Sequence, residues 1–180
     1  ALAAALYGDE AAKEDTDEFA DYSYNAIDTL IAANNRQNAD RVEKKELGDI
    51  LITGATGFLG IHMLKEFLDR YDGKAYCMVR KGRYESSERR LMNMLMYYFD
   101  MPYTELFGER IICIDSDITD KEAVDRLKDV PFTTLINCAA CVKHFAADEI
   151  LEKINVTGVK HLIDLCASSN RRLVQISTVS

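Results

Sequence analysis

The glycine-rich stretch at residues 49–60, Asp-Ile-Leu-Ile-Thr-Gly-Ala-Thr-Gly-Phe-Leu-Gly, constrains the fold of this chain more than any other feature. Its apolar beginning is typical of a strand buried on both faces. Gly54, Gly57 and Gly60 follow at intervals of three, and from Phe58 apolar residues recur at helical spacing. A strand, a glycine turn and a helix in this order indicate a dinucleotide-binding site. A glycine-rich turn without a ligand is the alternative interpretation.

The helix predicted after this turn would direct its unpaired N–H groups and its positive dipole end at a pyrophosphate. Glycine is needed in such a unit because the backbone must turn sharply, approach the phosphates closely and pack the helix on the sheet. The residues that we expect to contact the cofactor here are Gly54, Thr56, Gly57, Phe58, Leu59 and Gly60.

The end of the second predicted strand indicates which dinucleotide is bound. Residues 74–80, Lys-Ala-Tyr-Cys-Met-Val-Arg, form this strand, and Arg80 lies twenty positions after Gly60. An acidic residue near this position holds the ribose hydroxyls of NAD, whereas an arginine matches a 2′-phosphate. We therefore predict NADP(H) as the cofactor, with Arg80, Lys81 and Arg83 as candidate phosphate contacts. A solvated charge at the strand end is the alternative.

Three further strands are predicted downstream. They span residues 110–115, 133–139 and 172–177 and alternate with helical segments at 86–100, 121–128 and 148–169. Five strands alternating with helices indicate an α/β fold, a Rossmann-like doubly wound parallel sheet in the order 3-2-1-4-5. The methionine-rich content of segment 86–100 indicates hydrophobic packing rather than a cofactor contact.

The turns that follow parallel strands meet at one edge of the sheet and supply further candidate contacts. Asp117, with Ile118 in the same turn, is placed to accept a hydrogen bond from the adenine amino group. An equally open alternative is that Asp117 caps the helix that follows. Asn137, Ala139 and Ala140 end the fourth strand, where small residues permit close approach of the backbone to a cofactor.

Composition excludes several classes of partner. The net charge of −8 leaves no basic surface for nucleic acid, so we predict no nucleic-acid partner. No apolar run approaches the length that spans a bilayer, and residues 1–6 lack the basic start of a signal peptide. We therefore predict a soluble, cytoplasmic protein without membrane contact. Cys138 and Cys141 have no second pair, so we interpret them as core cysteines rather than as a metal or redox site.

The chain divides by composition into three parts. Residues 1–21 are rich in Ala, Asp and Glu and are interpreted as a solvated acidic linker. Residues 22–46 contain a short amphipathic helix and a polar connector. Residues 47–180 form the NADP-binding portion.

Seven short motifs lie along residues 47–180, each occurring once: 53–60 Thr-Gly-Ala-Thr-Gly-Phe-Leu-Gly, 78–80 Met-Val-Arg, 117–119 Asp-Ile-Thr, 137–140 Asn-Cys-Ala-Ala, 142–145 Val-Lys-His-Phe, 155–158 Asn-Val-Thr-Gly and 176–180 Ile-Ser-Thr-Val-Ser. Together they resemble the extended short-chain dehydrogenase/reductase family, and more narrowly the thioester reductase domains that terminate nonribosomal peptide synthetases. The first motif alone is also similar to many nucleotide-sugar epimerases, whereas the whole series is similar to a thioester reductase.

This resemblance implies NADPH-dependent reduction of a peptidyl thioester that a peptidyl carrier domain presents on its phosphopantetheine arm. The implied product is an aldehyde or, after a second hydride, an alcohol. By position, Thr178 would hydrogen-bond the substrate carbonyl, with Ser177 beside it, and Asn155 would hold the structural water of the proton relay. Residues 1–21 would be the exit from the carrier domain.

The family's catalytic tyrosine lies four residues before a lysine, and no tyrosine of this sequence is followed by lysine at that spacing. Because a positioned acid typically contributes about 10²–10⁴-fold to the rate, we expect this chain alone to bind cofactor without catalysis. The fold is then expected to be truncated after the fifth strand. The edge at 172–177 would favour self-association, or disorder of the last residues.

Two other functions stay open from the sequence. A nucleotide-sugar epimerase or dehydratase fragment would favour an acidic residue at the end of the second strand, where Arg80 stands. A non-catalytic dinucleotide-sensing domain would use the glycine turn without chemistry.

Overall fold

A five-stranded parallel sheet in the order β3-β2-β1-β4-β5 forms the centre of the fold. The computed structural model describes residues 46–101, 103–142 and 148–177. The strands are β1 (Ile50–Thr53), β2 (Ala75–Val79), β3 (Ile111–Asp115), β4 (Thr134–Asn137) and β5 (Arg172–Gln175). The predicted fold class and strand order are confirmed. The expected linker at 1–21 and the helix expected after residue 22 lie outside the described residues.

Helical segments connect these strands. They are α1 (Phe58–Arg70), α2 (Ser87–Phe99), α3 (Lys121–Asp125), α4 (Asp148–Glu152) and α5 (Val159–Ser168). Two short 3₁₀ turns, Thr104–Leu106 and Arg126–Asp129, precede β3 and follow α3. Among the residues that the structure describes, no helix is both long enough and apolar enough to cross a membrane.

Alternate residues of β1 point to opposite faces of the sheet and join two separate hydrophobic cores. Ile50 and Ile52 pack with Leu64 of α1 and Leu91 of α2 on one face. Leu51 packs on the other face with side chains of α3 and α5. All of β1 is buried, which explains its continuous apolar sequence. Helices on both faces define the doubly wound arrangement and bring the carboxyl ends of the strands to one edge.

Helix α2 buries less of its surface than its methionine-rich sequence predicts. Leu91 and Leu95 are its fully buried residues, whereas 50% of Met96 and 75% of Tyr97 are exposed. Helix α2 packs on β2 and β3 at one side of the sheet, and the rings of Tyr98 and Phe99 lie against His62 of α1. A stripe at i and i+4 is enough to cover the two strands. The prediction that the methionines of this helix pack in the core is therefore wrong for Met96.

The helix predicted at 148–169 is interrupted. A π-helical segment, Lys153–Gly158, separates α4 from α5. Gly158 is buried at the end of this segment, and a Cβ there would lie 2.8 Å from Cγ1 of Ile118. A π-helical turn contains one residue more than an α-helical turn. Over a single turn this shifts the spacing of apolar residues too little to be recognised in the sequence. The sequence pattern therefore predicted the helix correctly but missed its interruption.

Candidate functional site

The glycine turn after β1 has the geometry that its sequence predicts. Gly54 has a φ of +68°, and a Cβ at Gly54 would lie 2.7 Å from the backbone nitrogen of Ala139. Gly57 donates its N–H to the carbonyl oxygen of Gly54 at 2.9 Å, which closes the turn. At Gly60, a Cβ would collide with that same carbonyl oxygen. Gly54 and Gly60 are therefore required by packing, whereas Gly57 is exposed.

Helix α1 begins directly after this turn and presents free backbone donors. Its first intrahelical bond runs from the N–H of Ile61 to the oxygen of Gly57 at 2.9 Å, so the N–H groups of the preceding residues have no acceptor within the helix. Phe58 and Leu59 are 69% and 43% exposed. The ring of Phe58 lies against His62. Phe58 and Leu59 thus offer backbone N–H groups at a helix N-terminus, a setting that favours anions.

A cavity of about 290 Å³ opens beside the glycine turn. It lies at the carboxyl edge of the sheet, where ligands of doubly wound folds bind. Its lining residues come from the ends of β1 and β2, from the turns after four strands, from α2 and from the π-helical segment: Thr53, Gly54, Thr56, Gly57, Met78, Val79, Arg80, Arg90, Ser116, Asp117, Ile118, Cys138, Ala139, Ala140 and Ile154. Eight of the residues predicted to bind the cofactor are therefore brought together: Gly54, Thr56, Gly57, Arg80, Asp117, Ile118, Ala139 and Ala140.

An ion pair connects two of these lining residues. Nη1 of Arg80 lies 3.5 Å from Oδ2 of Asp117. The other carboxylate oxygen, Oδ1, accepts the N–H and the hydroxyl of Thr119, both at 2.9 Å. Partial burial would raise the pKa of Asp117, but the two hydrogen bonds from Thr119 and the charge of Arg80 together lower it. Asp117 is therefore an ionised acceptor at the wall of the cavity.

The alternative role proposed for Asp117, a helix cap, is wrong. Asp120 is the N-cap of α3, and its Oδ1 accepts the N–H of Ala123 at 3.0 Å. Asp117 instead closes a tight turn on Thr119, the local pattern that Asp adopts when its side chain bonds the backbone two residues later. Its carboxylate is thereby directed to the cavity rather than to the helix.

Arg90 is a lining residue that the sequence analysis missed. It is half-buried in α2, and its Nη1 donates to the carbonyl oxygen of Arg80 at 3.0 Å. A signal for it existed in the sequence. A helix that follows β2 begins at the carboxyl edge of the sheet, so its first turn faces the site. Ser86 caps α2 by accepting the N–H of Arg89 at 3.1 Å, which places Arg90 in that turn.

Lys81 and Arg83 lie outside the cavity lining. The N–H of Lys81 donates to Oδ1 of Asp115 at 2.9 Å, and its side chain is exposed. The guanidinium of Arg83 lies 5.6 Å from the ring centre of Tyr84. Both residues follow β2 at the edge of the site, so their charge is close to the cavity without lining it.

Ser116 also lines the cavity, and the sequence analysis did not name it. Its hydroxyl oxygen is buried and has no hydrogen-bond partner among the described residues. A buried hydroxyl without a partner is uncommon in native proteins, so this oxygen marks a polar point of the wall.

A row of polar side chains crosses the sheet at the ends of β1, β4 and β5. The hydroxyl of Thr53 donates to Oδ1 of Asn137, and Nδ2 of Asn137 donates to Oε1 of Gln175 at 2.8 Å. Oδ1 of Asn137 also accepts the N–H of Ala139 at 3.2 Å. Asn137 is fully buried. The hydrogen bond from Ala139 holds the turn that carries Ala139 and Ala140. These two alanines line the cavity, whereas Asn137 does not.

Asn155 lies in the π-helical segment and binds the loop after β4. Its Oδ1 accepts the N–H of Cys141 at 2.8 Å, and its Nδ2 donates to the oxygen of Cys141 at 2.9 Å. Both ends of the amide are thus engaged by one backbone residue. Thr178, the other predicted catalytic residue, lies outside the described residues, and Ser177 beside it is exposed.

The cysteines of the CxxC spacing are less buried than expected. Cys138 and Cys141 are both free and half-buried, and Cys138 packs against the hydrophobic core on the α1 face of the sheet. Burial raises the pKa of Cys138, which disfavours the reactive thiolate. In the ranges 46–101, 103–142 and 148–177, no three His, Cys, Asp or Glu side chains form a cluster that could hold a metal ion.

Comparisons with known proteins agree with this geometry. A thiolation-reductase di-domain from an archaeal nonribosomal peptide synthetase is 44% identical, with a TM-score of 0.76 over 90% of this chain. The carboxylic acid reductase of Mycobacterium tuberculosis is 31% identical over 144 residues, 73% of this chain. A linear gramicidin synthase of Brevibacillus parabrevis is 29% identical over 164 residues, 86% of this chain.

The chain spans a small part of each of these proteins. It covers 44% of the di-domain chain, 12% of the carboxylic acid reductase and 3% of the gramicidin synthase. The expected similarity to reductase domains of nonribosomal peptide synthetases is confirmed. A profile of the NAD-binding family described as Male sterility protein matches residues 52–180. The chain therefore belongs to this family.

Proposed function

We propose that this chain is the NADPH-binding portion of a thioester reductase that releases a carrier-bound peptidyl thioester as an aldehyde or an alcohol. The observation that carries the proposal is the cavity between the glycine turn, the Arg80–Asp117 pair and Arg90. A phosphorylated dinucleotide needs a glycine turn and a helix N-terminus for its pyrophosphate, and arginines for its 2′-phosphate.

The residues present fit NADPH in three places. The backbone N–H groups of Phe58 and Leu59, which have no acceptor within the helix, would hold the pyrophosphate. Asp117 and Ile118 would hold the adenine, and Arg80 with Arg90 would hold the 2′-phosphate. Arg90 thus adds to the arginine and lysine contacts expected from sequence. When bound, NADPH supplies a hydride to the carbonyl carbon of the thioester.

The preference for NADPH has its own test. Arg90→Ala should weaken NADPH binding and leave NADH binding unchanged, because a ribose hydroxyl carries no charge for Arg90 to pair with. Titration of both cofactors against the full chain measures this. Equal losses for the two cofactors would show that Arg90 supports the fold of the site rather than the phosphate.

The other residues assigned to the site are proposed to lie on its nicotinamide side. Asn137 and Asn155 hold the loop after β4, and the proposed role of Asn155 in the proton relay would add a water to these contacts. Thr178 is proposed to bind the substrate carbonyl. These 180 residues contain no tyrosine followed four positions later by lysine, so we expect them to show no thioester reduction by themselves.

The proposed partner is a peptidyl carrier domain with a phosphopantetheine-bound thioester, supported by the similarity to a thiolation-reductase di-domain. The reaction is tested by adding an acyl thioester and NADPH and monitoring the oxidation of NADPH by its absorbance. We expect turnover from a protein that joins this chain to a Tyr-x-x-x-Lys segment of its family and none from the chain itself. Turnover by the chain itself would contradict the assignment of the general acid.

A nucleotide-sugar epimerase is the weaker candidate. The solved epimerase of Helicobacter pylori is 21% identical with a TM-score of 0.56, which shows a shared fold only. Arg80 at the end of β2, where an acidic residue would hold the ribose of NAD, favours the reductase.

A further inference from the structure

The ion pair at the cavity wall occupies the acceptor that an adenine ring needs. Oδ1 of Asp117 is already bonded twice by Thr119, at 2.9 Å each. Oδ2 is the oxygen left for a ligand, and Nη1 of Arg80 lies 3.5 Å from it. Both residues line the same cavity, so a ligand group that bonds to Oδ2 from the cavity comes close to the guanidinium of Arg80.

We propose that Arg80 and the adenine amino group compete for Oδ2 of Asp117, and that a 2′-phosphate resolves the competition by giving Arg80 a stronger partner. This inference rests on the proposed function, since it takes an adenine dinucleotide as the ligand. Arg80 then has two partners, Asp117 in the free protein and the 2′-phosphate in the complex.

The contact is weak enough to be exchanged. It is a single approach at 3.5 Å, and the side chain of Arg80 is 62% exposed. Exposed pairs of this kind contribute little to stability. A phosphate, in contrast, carries more charge and can accept two parallel bonds from one guanidinium. The exchange therefore favours the phosphorylated cofactor.

The exchange requires only a side-chain rotation, because the backbone around Arg80 is held. The carbonyl oxygen of Arg80 accepts Nη1 of Arg90 at 3.0 Å. The next N–H, that of Lys81, donates to Oδ1 of Asp115 at 2.9 Å. The guanidinium is thus the part that can move between Asp117 and a ligand.

A cofactor without the 2′-phosphate meets a penalty at this position. An adenine amino group that bonds to Oδ2 displaces the guanidinium of Arg80 from that oxygen, and the ribose hydroxyl of NADH gives Arg80 no charged partner in return. Arg80 therefore contributes to selectivity in both directions, by attracting NADPH and by opposing NADH. This distinguishes the proposal from a simple phosphate contact, which has no effect on NADH.

The test is titration of the full chain and of Arg80→Ala with NADPH and NADH. We expect the substitution to weaken NADPH binding and to tighten NADH binding by about two- to fivefold, the range that an exposed ion pair corresponds to. Arg126→Ala removes the same charge from an exposed residue outside the cavity and should change neither affinity. Unchanged or weaker NADH binding by Arg80→Ala would overturn the proposal.

A double-mutant cycle identifies the partner. In an Asp117→Asn background, which keeps an acceptor oxygen but no charge, Arg80→Ala should no longer tighten NADH binding. The same gain in both backgrounds would show that Asp117 is not the competing group. If the unmodified chain prefers NADPH but the NADH gain is missing, this inference alone fails. If the unmodified chain does not bind NADPH, the proposed function fails and the inference with it.

Discussion

At the scale of single residues, the three glycines of the turn have different roles. Gly60 is enclosed, because a Cβ there meets the carbonyl group of Gly54. Gly57 is exposed, and a Cβ there would lie 3.2 Å from the Gly54 oxygen and meet no other described group within 4 Å. The free side of Gly57 is the side from which a pyrophosphate would approach.

Gly57→Val should therefore abolish cofactor binding by steric exclusion and leave the fold largely intact. Gly60→Val, as a matched control, should destabilise the protein by about 3 kcal/mol, since the added carbons are forced into packed backbone. Urea unfolding and NADPH titration on the same samples separate the two effects. Retained binding by Gly57→Val would contradict the pyrophosphate assignment.

The carboxylate of Asp117 gives a second prediction at this scale. Its pKa is lowered by the hydrogen bonds from Thr119 and by Arg80, against the effect of burial. A lowered pKa stabilises the folded state above the unfolded value of about 3.9, and this contribution is lost as the pH falls through the folded pKa. Carboxyl NMR titration should show the pKa of Asp117 rising in both Arg80→Ala and Thr119→Val. An unchanged pKa in Arg80→Ala would show that the pair does not form in solution.

At the scale of elements, the π-helical segment is tied to the loop after β4. Asn155 makes two hydrogen bonds to the backbone of Cys141, and residues 138–140 of that loop line the cavity. The π-helical turn thus couples the crossover helix to the wall of the site, in agreement with the frequent occurrence of such turns at functional sites.

Asn155→Ala should lower the free energy of unfolding by about 1–2 kcal/mol, because two hydrogen bonds are lost, and should weaken cofactor binding through the loop. Asp164→Ala, an exposed residue of α5, is the control and should change neither property. Urea denaturation and NADPH titration measure both. A loss of stability with unchanged affinity would show that the loop holds its shape without Asn155.

The edge strand β5 leads to a prediction about association. In the part of the chain that the structure describes, β5 pairs with β4 on one side and with no strand on the other. Val174 is 39% exposed and Leu173 is half-buried. Exposed apolar edges recruit other strands, so we expect self-association that Val174→Lys reduces. Light scattering over a concentration series measures it, and a monomer at all concentrations would contradict the expectation.

At the scale of the whole molecule, most of the sheet could be predicted from the sequence. Buried parallel strands have short continuous apolar runs, and the helices between them have a clear period, so the five strands and their order followed from local patterns. Ile50 to Ile52 and the glycines after them are the clearest case, since burial on both faces requires apolar residues in β1 and close backbone contacts require glycine at Gly54 and Gly60.

The parts that the sequence did not reveal depend on contacts between distant residues. Arg90 lines the cavity because α2 begins at the carboxyl edge of the sheet, and the Arg80–Asp117 pair joins two turns 37 positions apart. The exposure of Met96 depends on how much of the sheet α2 has to cover. Each of these features is a property of the assembled layers rather than of a local pattern, so periodicity alone does not contain it.

The central claim is that the cavity at the carboxyl edge of the sheet binds a phosphorylated dinucleotide. Isothermal titration of the unmodified chain with NADPH and with NADH at one ionic strength tests this claim most directly. We predict saturable binding of one NADPH per chain, tighter than that of NADH, because Arg80 and Arg90 have a charged partner only in NADPH. No binding of either cofactor, or equal affinities for the two, would contradict the account.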